Sequence, residues 1–361
     1  MRCLRVDLFL VMRLRLLKFT GSGLRCLLTF WIISFLPHAT VSAASVDSMP
    51  SADSLDVWLQ RVISAPERVN FEGTFVVGAG HQGSSSHIVH YGNGRTQLER
   101  VERLDGPERV VYRRDDEVVT LWPTERVLAF ESRRVGKRFP SISREGSERV
   151  ADHYSLSVLG TARIAGRTAN VVSLTPKDAY RYGYRLWLDV ATALPLRAEI
   201  VGAQQQVLEW AAFSDISVGV KPEPQRVLQG MNHREGWAIR QSVLADADLA
   251  YEGWVLGDLP AGFKLIRSVK RKGLPAVLAA SDPASKGEAP ILQLIFSDGL
   301  TYVSLFIEPY EAGAQRQNML VSLGATQTLM VKRDNWWLIA IGDVPAVSLK
   351  AFLAALQHKK N

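Results

Sequence analysis

The sequence YRYGYRLWLD, residues 180–189, alternates between two kinds of side chain. Successive side chains of a β-strand point to opposite faces, so a strand here has one aromatic and aliphatic face. That face carries Tyr180, Tyr182, Tyr184, Leu186 and Leu188. The opposite face carries Arg181, Gly183, Arg185, Trp187 and Asp189. The pattern fits a strand that lines an apolar concavity able to bind an amphiphile. It fits equally well an ordinary half-buried antiparallel strand whose outer face carries polar and aromatic side chains.

The first 43 residues have the layout of a secretory signal. Basic residues precede the apolar run 26–36, and the small residues Val41 and Ala43 occupy the two positions that signal peptidase reads. A run of eleven residues is too short to span a bilayer, and no cysteine follows it to accept a lipid. We therefore expect export with cleavage after Ala43, and translation beginning at Met1 or at Met12.

The cysteines and the net charge narrow the function classes. Cys3 and Cys26 both lie in the signal, so the mature chain of 318 residues (361 less 43) has none. This composition excludes thiol catalysis, thiol redox exchange and thiolate metal sites. Because no disulfide can form, the hydrophobic core must stabilise the chain, and 318 residues are enough for two domains. Removing the six Arg/Lys and the one acid of the signal lowers the formal charge from +7 to +2. A formal charge of +2 does not indicate a protein that binds nucleic acid.

Two basic clusters remain on the mature chain. One comprises Arg133, Arg134, Lys137 and Arg138, and the other comprises Arg267 with Lys270, Arg271 and Lys272. Such groups commonly form a solvated edge or blunt an exposed strand edge. The first cluster is also a candidate for meeting an anionic head group, because guanidinium and ammonium groups make charge-assisted hydrogen bonds to phosphate.

Turn residues divide the mature chain into elements and domains. A helix is predicted to begin at Asp53 or Ser54, and about ten strands follow from residue 70 to 214, enough for a strongly curved, half-closed sheet. Two prolines in 220–226 indicate an extended linker, and Asp298-Gly299 indicates a hairpin in the second domain. The chain ends with a short helix, predicted over 347–356. The predicted organisation is a signal at 1–43, a first domain at 50–219, a linker at 220–226 and a second domain at 227–361.

Motifs for catalysis and metal binding are absent from the sequence. It contains no nucleophile elbow, zinc-protease motif, phosphate loop or dinucleotide fingerprint. His87 and His90 differ by an odd number and point to opposite faces of a strand, so we predict no metal site and no cofactor. Ser297 and Asp298 with the distant His233 form only a superficial hydrolytic set, because Asp298 is needed at the hairpin tip. Eight mature tryptophans fit a cavity or an interface as well as core packing.

Several stretches together resemble the MucB/RseB family of periplasmic regulators of the sigma-E envelope stress response. They are NFEGTFVV (70–77), YRYGYRLWLD with its following turn (180–196), WVLGDLPAGFKL (254–265), FSDGLTYVSLFIEP (296–309) and, more weakly, AIGDVPAVSLKAFL (340–353). They occur in the expected order through nearly the whole mature chain. The family usually has glutamate where this chain has Asp343, which is a mild change.

The resemblance implies an α+β protein whose N-terminal domain is a LolA/LolB-like half-barrel of antiparallel strands with plugging helices. A smaller α+β C-terminal domain follows it. It also implies a non-enzymatic negative regulator in the periplasm, which binds the periplasmic part of a membrane anti-sigma factor and shields it from the first-cut protease. Binding of lipid or lipopolysaccharide would release that partner. A periplasmic lipid or lipoprotein carrier is the alternative and an enzyme the third reading, while self-association stays open.

The half-barrel reading assigns candidate residues to a lipid cavity. These are Phe71, Phe75, Trp122, Phe130, Tyr180, Tyr182, Tyr184 and Leu186. The anionic head-group candidates are Arg133, Arg134, Lys137 and Arg138.

Overall fold

A computed structural model describes most of the chain after the predicted signal. The described residues are 55–80, 82–115, 117–132, 150–232, 235–241, 244–272, 290–310 and 316–359. The predicted signal, the helix caps at Asp53 and Ser54, His233 and the four head-group candidates at 133–138 lie outside them. No helix among these residues is long and apolar enough to cross a membrane.

The first sheet has twelve strands. They are β1 (Phe71–Ala79), β2 (Gln82–Gly92), β3 (Gln97–Arg103), β4 (Val110–Arg114), β5 (Glu117–Trp122), β6 (Val127–Ser132), β7 (Tyr154–Ile164), β8 (Arg167–Pro176), β9 (Gly183–Asp189), β10 (Pro195–Val201), β11 (Val207–Val218) and β12 (Ala238–Gln241). Their order is β12-β6-β5-β4-β3-β2-β1-β11-β10-β9-β8-β7. All neighbours are antiparallel except β12 and β6. Strands β7 and β11 contact each other although three strands separate them in this order, so the sheet curls on that side.

One face of this sheet, which we call the inner face, is covered in part by helix α1 (Leu55–Arg68). Trp58, Leu59 and Val62 of α1 recur at helical spacing and pack against a cluster that includes Tyr184 and Leu186. Cross-strand registers continue the inner face toward β5 through Phe75, Ile88, Val101, Val111 and Val118. An apolar row therefore crosses the inner face from β1 to β5, with buried polar positions beside it on β2 to β5.

The opposite face, the outer face, is covered in part by helix α2 (Gln225–Asn232). Val227 and Met231, four residues apart on α2, pack against outer-face residues such as Leu98 and Tyr112. Strand β12 then extends the same sheet beside β6. The second domain was predicted to begin at residue 227 after a linker at 220–226. That boundary is wrong, because the apolar stripe of α2 and the pairing of β12 keep the chain on the first sheet through Gln241.

The second sheet has seven strands. They are β13 (Leu244–Asp246), β15 (Lys264–Lys272), β16 (Pro290–Ser297), β17 (Tyr302–Pro309), β18 (Met319–Leu323), β19 (Thr326–Arg333) and β20 (Trp336–Gly342). Their order is β13-β15-β16-β17-β20-β19-β18, and β14 (Trp254–Leu256) pairs separately with β21 (Leu356–His358). Helix α3 (Ala346–Ala355) packs Leu349, Phe352 and Leu353 onto one face. The predicted hairpin is present between β16 and β17, where Gly299 has φ +95°.

Substitution at Gly230 tests the packing of α2 on the outer face. A Cβ atom there would collide with the ring of buried Tyr112, so Gly230→Ala should destabilise the protein by about 1–3 kcal/mol despite the better helix propensity of alanine. The measurement is the free energy of unfolding in denaturant. Gly83→Ala is the control, because a Cβ there meets only ordinary contact distances and should change stability little. Equal stability of the two variants would contradict the packing described.

Candidate functional site

The YRYGYRLWLD sequence is a strand only from Gly183 onward. Tyr184, Leu186 and Leu188 are buried on the inner face, as the alternation predicts. Residues 180–182 instead form a turn in front of β9, where the backbone NH of Tyr180 donates to the carboxylate of Asp178 at 2.9 Å. The strand row therefore begins at Tyr184 and does not include Tyr180, whereas Tyr182 still packs against the inner-face cluster around Tyr184. The turn directs both residues toward the second domain.

Arg181 occupies the centre of the contact between the two domains. Its side chain is fully buried, and its Nε donates to Oδ2 of Asp298 at 2.8 Å. Its other nitrogens donate to Asp178 and to the backbone carbonyl of Ala261. The guanidinium also lies 4.7 Å from the ring centroid of Phe263. The second domain thus supplies one of the two carboxylates that neutralise Arg181, and also a backbone carbonyl that accepts from it.

Asp298 serves the hairpin and the domain contact at once. Its Oδ1 accepts the backbone NH groups of Leu300 at 2.9 Å and Thr301 at 2.7 Å, while Oδ2 accepts from Arg181. The sequence predicts a structural role at the hairpin tip for this residue. It does not show that the second oxygen holds the other domain.

Further contacts complete this domain junction. Gln327 donates to the hydroxyl of Tyr182 at 3.3 Å, and the Ser348 hydroxyl donates to the carbonyl of Tyr180 at 2.7 Å. Leu300 and Ala325 of the second domain belong to the same buried cluster as Tyr184. The junction therefore extends from the Arg181 ion pair to one side of the inner face.

A histidine stands beside the buried ion pair. Burial lowers the pKa of His153, and the positive charge of Arg181 lowers it further. The imidazole is thus favoured in its neutral form. It adds no second positive charge next to the Arg181 guanidinium.

A buried polar cluster lies on the inner face across β2, β3 and β4. His90 Nε2 is 2.7 Å from the carbonyl of Pro66, and Nδ1 is 3.3 Å from Oε2 of Glu99, while Phe71 stacks on the ring at 4.7 Å. Burial alone would raise the pKa of Glu99, but Arg113 on the next strand and His90 hold it well below its ordinary value. Glu99 is therefore an anion with its own internal partners.

The remaining cavity candidates divide between the two faces. Phe71 and Phe75 are buried on the inner face, with ring centroids 5.9 and 6.1 Å from that of Phe213. Trp122 is half-buried at the end of β5 and shares the inner face by strand alternation. Phe130 pairs with Val119 and packs on the outer face beside the α2 cluster, so its inward orientation was wrong. Contact of any of these residues with lipid stays a prediction.

The basic outer row of β9 is largely neutralised within the sheet. Buried Glu199 accepts from Arg185 at 3.0 Å and from Arg197 at 2.6 Å. Arg197 also lies 5.0 Å from the ring centroid of Trp187 and 5.6 Å from that of Trp210. These contacts account for the mixture of arginine and tryptophan that the sequence shows there. In the described part of the chain, no three His, Cys, Asp or Glu side chains are grouped to hold a metal.

Two joined sheets with an extensive apolar inner face define a two-domain, strand-rich α+β protein. Two family models match the chain: the MucB/RseB N-terminal domain over residues 54–231 and the MucB/RseB C-terminal domain over residues 248–357. The chain belongs to the MucB/RseB family.

Relatives in the family are regulators of sigma factors. The chain is 28% identical over 311 residues to the sigma factor AlgU regulatory protein MucB of Pseudomonas aeruginosa, covering 84% of this chain and 90% of that protein. It is 23% identical over 324 residues to the sigma-E factor regulatory protein RseB of Escherichia coli, covering 89% and 95%. A solved complex of Pseudomonas aeruginosa MucA and MucB contains a chain of similar fold, with TM-score 0.65, 26% identity and coverage of 85% and 99%.

Variants at Arg181 test the junction. Arg181→Met leaves the Asp298 charge buried without its partner and should destabilise the protein by about 3–5 kcal/mol. Adding Asp298→Asn removes that charge while its amide oxygen keeps the hairpin bonds, so the double variant should regain part of the loss. Denaturant unfolding of both variants measures this difference. A double variant less stable than the single one would contradict the ion pair described.

The polar cluster predicts a pH dependence at Glu99. A lowered pKa in the folded state means that the ionised carboxylate contributes stability above its ordinary pKa of 4.5, and that this contribution is lost as pH falls below it. Glu99→Gln should therefore cost about 1.5–3 kcal/mol at pH 7 and progressively less below pH 4.5. Urea unfolding at several pH values gives the difference. Glu102→Gln, on the outward side of the same strand, should cost about 0–1 kcal/mol. A Glu99→Gln penalty that stayed constant down to about pH 3 would contradict the assignment.

Proposed function

We propose that the protein is a non-enzymatic periplasmic negative regulator that binds the periplasmic part of a membrane anti-sigma factor. The observation that carries this proposal is the likeness to a MucB chain solved in complex with MucA. That likeness covers 85% of the chain and so includes residues of both domains. The names of the relatives, which place them in sigma-factor regulation, support the same role.

The junction supports a binding surface shared by both domains. Arg181 is satisfied only while Asp298 and Ala261 of the second domain stand against the first. A partner segment that contacts both domains would then meet a surface of defined geometry, which lowers the ordering cost of binding. Holding an extended segment in this way would shield it from the protease that makes the first cut.

The inner face supports a role in sensing lipid or lipopolysaccharide. Its cluster around Tyr184 is apolar and contains residues of α1 and of the second domain as well as of the sheet. An acyl chain that entered this cluster would compete with α1 or with Leu300 and Ala325 for the same surface. Such a ligand would favour a different relation between the domains, because it binds better when those contacts are open. Release of the partner would follow.

A lipid or lipoprotein carrier is the competing proposal, since it would use the same inner face. The buried junction weighs against it, because a carrier needs only the first domain. A carrier would bind lipid but not the anti-sigma segment.

Titration of the purified protein with the periplasmic segment of an anti-sigma factor from the same organism tests the proposal. We expect saturable binding, protection of the segment from the first-cut protease, and release on adding lipopolysaccharide. Affinity should fall about tenfold or more in the double variant at Arg181 and Asp298, because the two halves of the surface lose their fixed relation. Arg226→Gln, which removes an exposed pair with Glu72, is the control and should bind normally. Absence of both binding and protection would contradict the proposal, and lipid binding alone would favour the carrier.

A further inference from the structure

Arg103, the last residue of β3, is a buried cation with unused donors. It shares the inner face with Glu99 and Val101 by alternation and is nine-tenths buried. Its Nε and Nη1 atoms are buried and have no hydrogen-bond partner. Ser86, directly opposite on β2, is fully buried, and its hydroxyl also has no partner. Three buried donor atoms on facing residues of β2 and β3 therefore lack a hydrogen-bond acceptor.

The neighbouring carboxylate does not supply that acceptor. Oδ1 of Asp105 is 3.7 Å from Nε of Arg103, which forms an ion pair but is too long for a hydrogen bond. Asp105 instead accepts the hydroxyls of Ser84 and Ser85, each at 2.7 Å, and the backbone NH of Ser85. Partial burial alone would raise the pKa of Asp105, but the bonds from Ser85 and Ser84 and the positive charge of Arg103 lower it below its ordinary value. The carboxylate is thus engaged with the serines.

The chemistry of the unused donors selects an oxyanion. Buried donors of arginine need acceptors, and its planar fork matches the oxygens of a phosphate or carboxylate. The serine hydroxyl adds a third donor on the same side. An anion placed between them would satisfy groups that the folded chain leaves unsatisfied.

The surroundings of these donors select an amphiphile. Phe75 stands opposite Ser86 on β1, and Ile88 and Val101 continue the same apolar face two residues away. We propose that Arg103 and Ser86 form the head-group site of an anionic amphiphile whose acyl chain lies along Phe75, Ile88 and Val101. The proposal rests on lipid binding by the inner face and assigns the head group to residues other than the basic cluster at 133–138.

Calorimetric titration of the delipidated protein with three probes tests this site. The probes are dodecyl phosphate, dodecyl maltoside as an uncharged amphiphile with the same chain, and inorganic phosphate. We expect dodecyl phosphate to bind at least about tenfold more tightly than dodecyl maltoside. Arg103→Gln should remove most of that preference and leave the maltoside affinity unchanged, while Ser86→Ala should remove part of it. Arg100→Gln, on the same strand but on the outer face and paired with Glu102, should keep the full preference.

Thermal unfolding separates this role from a structural one. Arg103→Gln removes a buried charge that is ion-paired with Asp105 at 3.7 Å but makes no hydrogen bond through Nε or Nη1, so without ligand the melting temperature should change little. A clear drop in melting temperature would show that Arg103 serves mainly as the structural partner of Asp105 and overturn the proposal.

The outcomes separate the head-group site from lipid binding itself. An unchanged preference for dodecyl phosphate in Arg103→Gln would overturn the site while leaving lipid binding by the inner face intact. Equal affinity for inorganic phosphate and dodecyl phosphate would also overturn it, because the site would then take a free anion. No binding of either amphiphile would contradict the lipid-sensing part of the proposed function.

Discussion

The buried ion pair of Arg181 and Asp298 is the contact on which the arrangement of the two domains depends. Removing two charges from water is costly, and the cost is recovered only when the geometry is good and the remaining donors are satisfied. Arg181 meets both conditions through Asp298, Asp178 and Ala261. Small displacements of one domain would break several of these bonds together. The pair therefore contributes more to a defined orientation than to net affinity between the domains.

This junction and the inner face are parts of one packed cluster. Leu300 lies two residues after Asp298, and Ala325 lies in the β18–β19 turn. Both pack in the cluster that contains Tyr184 and Trp58. Packed interiors respond to a change of occupancy by repacking as a unit rather than by yielding gradually. A ligand on the inner face can thus act on the domain orientation without touching Arg181. This cluster would therefore link the two proposed functions, which are binding of the anti-sigma segment and sensing of lipid.

Local patterns in the sequence predict the strands well and the domain junction poorly. Alternation places Tyr184 and Leu186 on the inner face, and Asp298-Gly299 predicts the hairpin. Alternation does not show that the strand begins only at Gly183, because the Asp178 turn and the contacts with Gln327 and Ser348 hold residues 180–182 out of the strand. Arg181 and Asp298 are 117 residues apart, so no local period shows their pairing.

Two other differences have equally specific causes. Phe130 was grouped with Trp122 without a register, yet the β5–β6 pairing sets it opposite Val119 on the outer face. The prolines before α2 do extend the chain, but the buried Val227 and Met231 hold the following helix on the first sheet. In both places the outcome depends on which other part of the fold the segment packs against. A single segment of sequence does not contain that information.

The stretches that resemble the family meet mainly at the junction. Arg181, Ala261, Asp298 and Ser348 each come from a different one of these stretches, and all four take part in the domain contact. The polar groups of the inner face differ from one another in how well their hydrogen-bonding needs are met. Glu99 is neutralised by Arg113 and His90, as a structural carboxylate should be, whereas Arg103 keeps two buried donors free. Because buried donors without an acceptor destabilise a fold, these two donors beside apolar side chains support the ligand proposed for them, even though Arg103 is ion-paired with Asp105 at 3.7 Å.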